Sequence, residues 1–239
     1  MARLARVIIP DCPHHVTQRG NRGENVFFSK ADRIKYLTLL SKYSQKYRME
    51  IQAYCLMPNH VHLIVVPRSE SSMAETLRPL NMCYARHINH ALNLDGRLWQ
   101  GRFFSCPLDE EHLWAAVRYV ERNPVRAGLT ESAEEYSWSS AADHCGLRKD
   151  VFISDPCNLT LRLPSEEWRK WLREPWEAKG KMLSHIRQCT HTGRPAGGEE
   201  FVTLLEGLLG RVLTAEKVGR PGKHKTGNSE KEQPLFLSI

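Results

Sequence analysis

The sequence lacks any hydrophobic run long enough to cross a membrane. Its longest apolar stretch is VHLIVV, residues 61–66, whereas a helix needs roughly 20 apolar residues to span a bilayer. A secretory leader is not expected either, because Arg3 and Arg6 precede only VIIP before polar residues begin. The sequence therefore predicts a cytoplasmic protein without a membrane segment.

Cysteines at metal-binding or redox spacing are also lacking. The seven cysteines are scattered and no two form a C-x-x-C pair, which gives zinc ribbons and thioredoxin-like chemistry no support. An odd number of dispersed cysteines is typical of free thiols in a reducing compartment. An internal repeat is absent as well, and 239 residues suffice for one sizeable domain with an appendage.

Positive charge, by contrast, is in excess. The chain has 34 Lys and Arg against 27 Asp and Glu, a formal net charge of +7 and a pI near 9.1. A basic chain favours a polyanionic partner, with nucleic acid first and an anionic membrane second.

The order of predicted elements is strand, helix, strand, strand, helix, strand, helix. Ser29 and Asp32 form a capping-box pattern at the start of the first helix, and the dipeptide PN separates the two middle strands. This order predicts an α+β fold: a ferredoxin-like antiparallel sheet with helices on one face. The predicted helices cover residues 29–49, 71–94 and 110–123, and the strands lie in the segments HHVTQR, EIQAYCLM, HVHLIVVP and the stretch after GRLWQGRFFSCPL.

The character of the sequence changes after the first 145 residues. We predict a first domain over residues 1–145 and a mainly helical C-terminal extension over 146–215. Residues 216–239 form a basic, Gly- and Lys-rich tail that is expected to be disordered.

Two histidines stand one residue apart in the segment CLMPNHVHLIVVP. Residues two apart in a strand face the same way, so His60 and His62 project together while Val61 and Leu63 face the core. Paired neutral imidazoles on a rigid strand can supply two ligands to a divalent metal. Spacing alone equally allows two half-buried structural histidines.

Other protein classes with paired strand histidines lack their remaining signatures here. Histidine-triad nucleotide hydrolases need a further histidine at position 64, which is Ile64. Phosphoesterases with two H-x-T signatures need a second copy, and the chain has none.

A second candidate group lies in RYVERNPVRAG, residues 118–128. Tyr119 and Asn123 are four residues apart, hence on one helix face, and Pro124 places Asn123 at the helix end, where its amide could reach outward. An Asn oxygen suits Mg²⁺ or Mn²⁺, and a nearby Tyr is a candidate nucleophile for phosphoryl transfer. A core tyrosine and a C-capping asparagine would give the same pattern.

Several motifs in order resemble the REP-associated tyrosine transposases, a bacterial branch of the single-tyrosine HUH transposases. They are HHVTQRGNRGENVFF, MPNHVHLIVVP, YARHIN, LWQGRFFS, YVERNPVRAGL and YSWSSAADH, within about residues 6–145. The resemblance implies that His60 and His62 hold a divalent metal, Mg²⁺ or Mn²⁺, and that Tyr119 is the nucleophile. Asn123 occupies a position that is usually Gln in related insertion-sequence transposases, where it completes the metal site.

The resemblance further implies cleavage and rejoining of single-stranded or hairpin DNA through a 5′-phosphotyrosine, without an organic cofactor, by a monomer or a homodimer. Two alternatives are a DNA-binding protein that kept the fold but lost turnover and a metal-dependent hydrolase of small phosphoesters. Trp99 and Phe103 could stack on bases or pack in the core. Candidate phosphate contacts are Arg19, Arg22, Arg86, Arg97 and Arg102.

Some histidines and tyrosines are not assigned to the site. Tyr36 and Tyr84 are rival nucleophiles, but Tyr84 lies on a different helix from the motif tyrosine. Four further histidines do not match the spacing of the pair and are left out of the metal site: His14, His15, His87 and His90.

Overall fold

The computed structural model describes residues 6–153, 159, 163–174 and 180–214. Its strands are β1 (His14–Arg19), β2 (Met49–Met57), β3 (His60–Pro67) and β4 (Phe104–Pro107). Its helices are α1 (Lys30–Lys46), α2 (Ser72–Leu92), α3 (Glu110–Glu121), α4 (Asn123–Arg126), α5 (Ala141–His144), α6 (Ser165–Arg173), α7 (Gly180–Thr192) and α8 (Glu199–Leu209). None of the helices in this described part is long and apolar enough to cross a membrane.

The four strands form one sheet in the order β2-β3-β1-β4. Every neighbouring pair is antiparallel, and the elements follow the ferredoxin-like sequence of strand, helix, two strands, helix and strand. The predicted fold class is therefore confirmed. The topology puts β3 and β1 in the centre of the sheet, so their side chains are held from both sides.

Helices α1 and α2 cover one face of the sheet. Ser29 caps α1 by accepting from the Asp32 backbone N–H, and Asp32 reciprocates in a capping box, a motif worth about 1 kcal/mol. Gln18, on the β1 face opposite to His15, borders the same cavity as Leu77 and Asn81 of α2. These two helices match the predicted layer of helices on one face.

The structure adds helices on the opposite face. Tyr119 of α3 lies against His62 of β3, and Thr190 of α7 contacts His15 of β1 and Cys106 of β4. The C-terminal extension thus contributes a helix that packs directly on the sheet.

The predicted third helix ends two residues earlier than expected. Helix α3 stops at Glu121, and Pro124 lies in the first turn of α4 rather than beyond the helix end. Proline is tolerated there because the first N–H groups of a helix have no intrahelical acceptor. The predicted tail, residues 216–239, lies outside the described residues.

Candidate active site

His60 and His62 project from the same face of β3, as their spacing predicts. Their ring centroids lie 4.9 Å apart, and the intervening Val61 is 1% exposed on the other face. In the β1–β3 ladder, Thr17 is the partner of His62 and Arg19 is the partner of His60. The histidine pair therefore sits on a central strand whose position is fixed by both neighbours.

Tyr119 reaches the histidine pair from α3. Its ring centroid is 5.3 Å from that of His62 and 6.1 Å from that of His15, with its plane nearly perpendicular to both. Asp109 caps α3 at its N-terminus, and its carboxylate accepts from the His112 backbone N–H. From Leu113 to Glu121 all residues of the helix except Trp114 are buried. Residues 57 positions apart in the sequence are thereby brought into contact.

Two arginines that the sequence did not single out flank Tyr119. The guanidinium carbons of Arg187, from α7, and Arg126, from α4, lie 5.0 and 5.4 Å from the centre of the Tyr119 ring. This distance is within cation–π range. A cavity of about 280 Å³ opens beside them, lined by Tyr119, Arg122, Val125, Arg126, Gly180 and Leu183. Arg126 is part of the NPVRAG motif, whereas nothing in the sequence around Arg187 points to this site.

Both histidines of the pair are held neutral. Burial, followed by the charges of Arg19 and Arg126, lowers the pKa of His60 to about 4. Burial also lowers the pKa of His62 well below its ordinary value, and His15 and the site arginines add to the effect. Because a metal binds only the unprotonated imidazole, these environments keep the pair ready to ligate at neutral pH.

The tautomer of His60 follows from its neighbours. Asn59 donates from Nδ2 to the Gly23 carbonyl oxygen at 2.9 Å, so its Oδ1 faces His60. His60 donates from Nδ1 to that oxygen at 2.6 Å. The lone pair of a neutral His60 is consequently on Nε2, and a hydrogen-bonded Nδ1–H is the usual arrangement behind a metal-ligating imidazole.

His15, which the sequence analysis left out, is part of the same cluster. Its ring plane is within 10° of that of His62, with ring centroids 5.2 Å apart, and the two rings meet edge to edge, with His15 Nε2 2.9 Å from His62 Nδ1. His14 points to the other face and hydrogen-bonds the Cys12 carbonyl. His87 contacts Asp32 on the α1–α2 side. Because strand side chains alternate, the sequence shows that His15 lies on the same face of β1 as Thr17. Only the pairing of Thr17 with His62 in the sheet shows that this face is also the face of the histidine pair.

Asn123 is buried rather than turned outward. It is 1% exposed, and its Oδ1 accepts from Arg126 at 3.1 Å. Its Nδ2 has no hydrogen-bond partner among the described residues. The expectation of an outward-reaching amide is therefore wrong, because the chain continues into α4 and covers it. Its role as a metal ligand stays a prediction.

The residues present fit a divalent cation with an open coordination shell. His60 can donate through Nε2, His62 is a second neutral imidazole beside it, and the Asn123 amide oxygen, which accepts from Arg126, lies at the start of α4. Within the described ranges, no group of three or more His, Cys, Asp or Glu side chains could hold a metal. A site with only His60, His62 and Asn123 as protein ligands would leave coordination positions for water or phosphate oxygens, as is usual for Mg²⁺.

The remaining candidates divide by exposure. Trp99 and Phe103 are 8% and 6% exposed, and Trp99 donates to the Asn81 carbonyl, so they pack in the core.

Tyr36 and Tyr84 are fully buried and contact each other, and burial raises the pKa of both. Neither tyrosine can reach a DNA strand. All five predicted phosphate-contacting arginines are exposed: Arg19, Arg22, Arg86, Arg97 and Arg102.

Buried neutral histidines predict a specific dependence of stability on pH. Burial lowers the pKa of His14 and of His15 to about 4, whereas an unfolded histidine titrates near ~6.5. Below that value the unfolded chain binds more protons, so each residue is expected to remove up to about 1.4 kcal/mol of unfolding free energy per pH unit. The loss should begin near pH 6.5 and continue towards pH 4.

Urea unfolding of the metal-free protein between pH 4.5 and 7.5 measures this effect. His14→Asn should flatten the curve, and exposed His90→Gln should leave it unchanged. A flat profile in the unmodified chain would contradict the assignment of neutral buried histidines.

The fold and this site together define a class: a ferredoxin-like sheet with an H-x-H pair on a central strand that faces a tyrosine on a helix, as in single-tyrosine HUH proteins. Residues 9–123 match the family model described as "Transposase IS200 like". The matched segment is just under half of the chain and is similar to that family, so the resemblance drawn from the motifs is confirmed.

Two known proteins are similar to this chain. A Haemophilus influenzae protein named as a REP-associated tyrosine transposase is 26% identical over 122 residues, covering 46% of this chain and 68% of that protein. The solved structure of a REP-associated tyrosine transposase bound to a REP hairpin aligns with a TM-score of 0.52 at 18% identity, covering 64% of this chain and 98% of that one. At this low identity, the similarity to the solved structure shows only that the two proteins share a fold.

Proposed function

We propose that this protein cleaves and rejoins single-stranded DNA at a hairpin through a 5′-phosphotyrosine intermediate on Tyr119. The observation that carries the proposal is the contact of Tyr119 with the neutral His60–His62 pair, 5.3 Å between the Tyr119 and His62 rings. A hairpin is the proposed substrate because the relative of the same fold was solved with a REP hairpin. The net charge of +7 supports a nucleic-acid partner.

The reaction requires an activated phenol beside a positioned phosphate. The Tyr119 hydroxyl would release its proton to solvent, and the phenolate oxygen would attack phosphorus as the P–O3′ bond breaks. This gives a 5′-phosphotyrosine and a free 3′-hydroxyl. Attack of a 3′-hydroxyl on the phosphotyrosine then restores a phosphodiester and the phenol. One phosphoester linkage replaces another at each step, so no nucleotide energy source is needed.

Other residues of the chain would bind the metal and stabilise negative charge. His60 and His62 would hold the metal through Nε2, with Asn123 as the predicted third ligand. A divalent cation bound there, Mg²⁺ or Mn²⁺, would neutralise charge on the scissile phosphate and orient it for in-line attack. Arg126 and Arg187 would favour the phenolate and the negative charge that develops on the phosphate. One copy of the chain supplies all of these residues, so the proposed reaction needs no tyrosine from a second copy.

The test is a denaturing gel of the purified full chain with labelled hairpin DNA from the flanks of its own gene. We expect a covalent protein–DNA adduct with Mn²⁺ or Mg²⁺ and none with EDTA. Tight hairpin binding without an adduct would overturn the enzyme proposal and favour a DNA-binding protein of the same fold. Hydrolysis of small phosphodiesters without an adduct would favour the hydrolase.

Arg19 provides a separate prediction about DNA binding. It is exposed and pairs in register with His60 at the edge of the site. Arg19→Gln should weaken hairpin binding several-fold near 0.1 M salt and make the plot of log affinity against log salt shallower by about 0.7 to 0.9, the loss of one phosphate contact. Fluorescence anisotropy at several salt concentrations measures both quantities. Lys35→Gln, an exposed charge on α1, should change neither.

A further inference from the structure

A chain of buried hydrogen bonds runs from His62 to helix α7 and ends at a backbone carbonyl. Thr190 is 2% exposed, and its Oγ1 lies 2.7 Å from the Ile186 carbonyl oxygen. A carbonyl oxygen can only accept, so the Thr190 hydroxyl donates its single hydrogen there. The Cys106 sulfur is 3.2 Å from the same Oγ1, but it is a much weaker acceptor than a carbonyl.

The direction of the chain then follows from donor counting. Thr190 Oγ1 lies 2.8 Å from His15 Nδ1 and must accept from it. A neutral imidazole has one N–H, so Nε2 of His15 is an acceptor. His62 Nδ1, at 2.9 Å, donates to it. His62 is thereby left with its lone pair on Nε2.

His60 reaches the same tautomer through a different route. Its hydrogen bonds run through Asn59 to the Gly23 carbonyl. This series of hydrogen bonds shares no residue with the series through Thr190. Two independent chains thus fix the two neighbouring imidazoles with Nδ1–H donated and Nε2 free. Neither hydrogen-bond chain uses the Nε2 lone pair of its histidine.

We propose that Thr190 and His15 are positioning residues that hold His62 as the Nδ1–H tautomer and so make its Nε2 available to the metal. The metal-binding role of His62 in this proposal rests on the proposed function. The tautomer of His62 can be measured whether or not that function holds. Thr190 lies beyond residues 9–123, the part that matches the family. Helix α7 of the C-terminal extension therefore supplies the residue that would orient His62, and a chain without the extension would lack it.

The first experiment reads the tautomers directly in the metal-free full chain. Long-range ¹H–¹⁵N correlation spectra of protein labelled at histidine distinguish a protonated from an unprotonated ring nitrogen. We expect Nδ1–H at both His60 and His62. In Thr190→Val, which keeps the shape and removes the acceptor, His62 should become a mixture of tautomers while His60 stays unchanged.

Two matched variants control this measurement. Thr190→Ser keeps the hydroxyl and should restore the wild-type tautomer, which separates loss of the hydrogen bond from disturbed folding. Thr192→Val removes an exposed hydroxyl from the same helix and should have no effect. The proposal is overturned if wild-type His62 carries its proton on Nε2, or if Thr190→Val leaves the His62 tautomer unchanged.

Manganese binding, measured by titration calorimetry, provides the second readout. Loss of a partner behind a metal-ligating histidine typically costs 10- to 100-fold in metal affinity, so we expect Thr190→Val to fall in that range and Thr190→Ser to stay near wild type. An affinity of Thr190→Val within twofold of wild type would overturn the positioning role. If the wild type neither binds Mn²⁺ nor forms an adduct, the proposed function fails, while the tautomer spectra still decide whether Thr190 and His15 orient His62.

Discussion

Tyr119→Phe is expected to abolish the covalent protein–DNA adduct, with a loss of at least roughly 1,000-fold. The substitution removes only the hydroxyl that would bond to phosphorus. The phenylalanine ring can keep the contacts with His62 and with the guanidinium of Arg187. Folding, manganese binding and hairpin affinity should therefore remain close to wild type, so that the loss can be assigned to the chemical step.

The measurement is the amount of adduct on a denaturing gel after incubation with labelled hairpin and Mn²⁺. Tyr47→Phe, at the end of α1 and away from the site, is the matched control and should form the adduct normally. Persistence of an adduct in Tyr119→Phe would place the nucleophile elsewhere. Tyr36 and Tyr84 could not take over, because both are fully buried on the α1–α2 side of the sheet.

Glu121→Gln is expected to lower the free energy of unfolding by about 3 kcal/mol. Glu121 is 0% exposed. Its Oε1 accepts from Ser140 at 2.5 Å and from His144 at 2.6 Å, and its Oε2 accepts from Trp168 Nε1 at 2.8 Å. A glutamine has only one acceptor oxygen, so its amide N–H groups must face a donor on one side of this network.

The Glu121 network joins α3 to the C-terminal extension. Ser140 and His144 belong to the α5 region, and Trp168 is a fully buried residue of α6. Because Tyr119 lies two residues away on α3, weakening of this network should also reduce adduct formation. Urea denaturation with Glu131→Gln, an exposed loop residue, as the control measures the change in stability. A difference below about 1 kcal/mol between the two variants would contradict the structural role of Glu121, since changes at surface positions usually stay within about 0.5 kcal/mol.

Local patterns predicted three of the four strands and the first helices, but β4 (Phe104–Pro107) lies inside the stretch GRLWQGRFFSCPL that was expected to be a loop before the strand. The capping box at Ser29 and Asp32 is present, and the PN dipeptide joins β2 and β3 as expected. His60 and His62 share a face because strand geometry alternates every residue, a rule that depends only on the neighbouring backbone. The end of α3 was predicted two residues too late. The effect of Pro124 depends on whether a new helix begins around it, and the local sequence does not show this.

Other assignments depended on resemblance rather than on residue physics. Nothing in the local sequence distinguishes Tyr119 from a core tyrosine on an amphipathic helix, and only the ordered motifs pointed to it. The outward orientation expected for Asn123 was wrong, because its exposure is set by α4 and by Arg126, which bonds to its oxygen.

The sequence by itself determined the class of fold and the pair of histidines, because both follow from short-range periodicity and from motifs in a fixed order. The tertiary structure alone decided what surrounds the pair. His15 and Thr190 are 175 residues apart, yet they are in direct contact, and Arg187 of the extension lies over Tyr119. Contacts at such separations form only when the sheet and α7 pack together, so no local pattern could have predicted them.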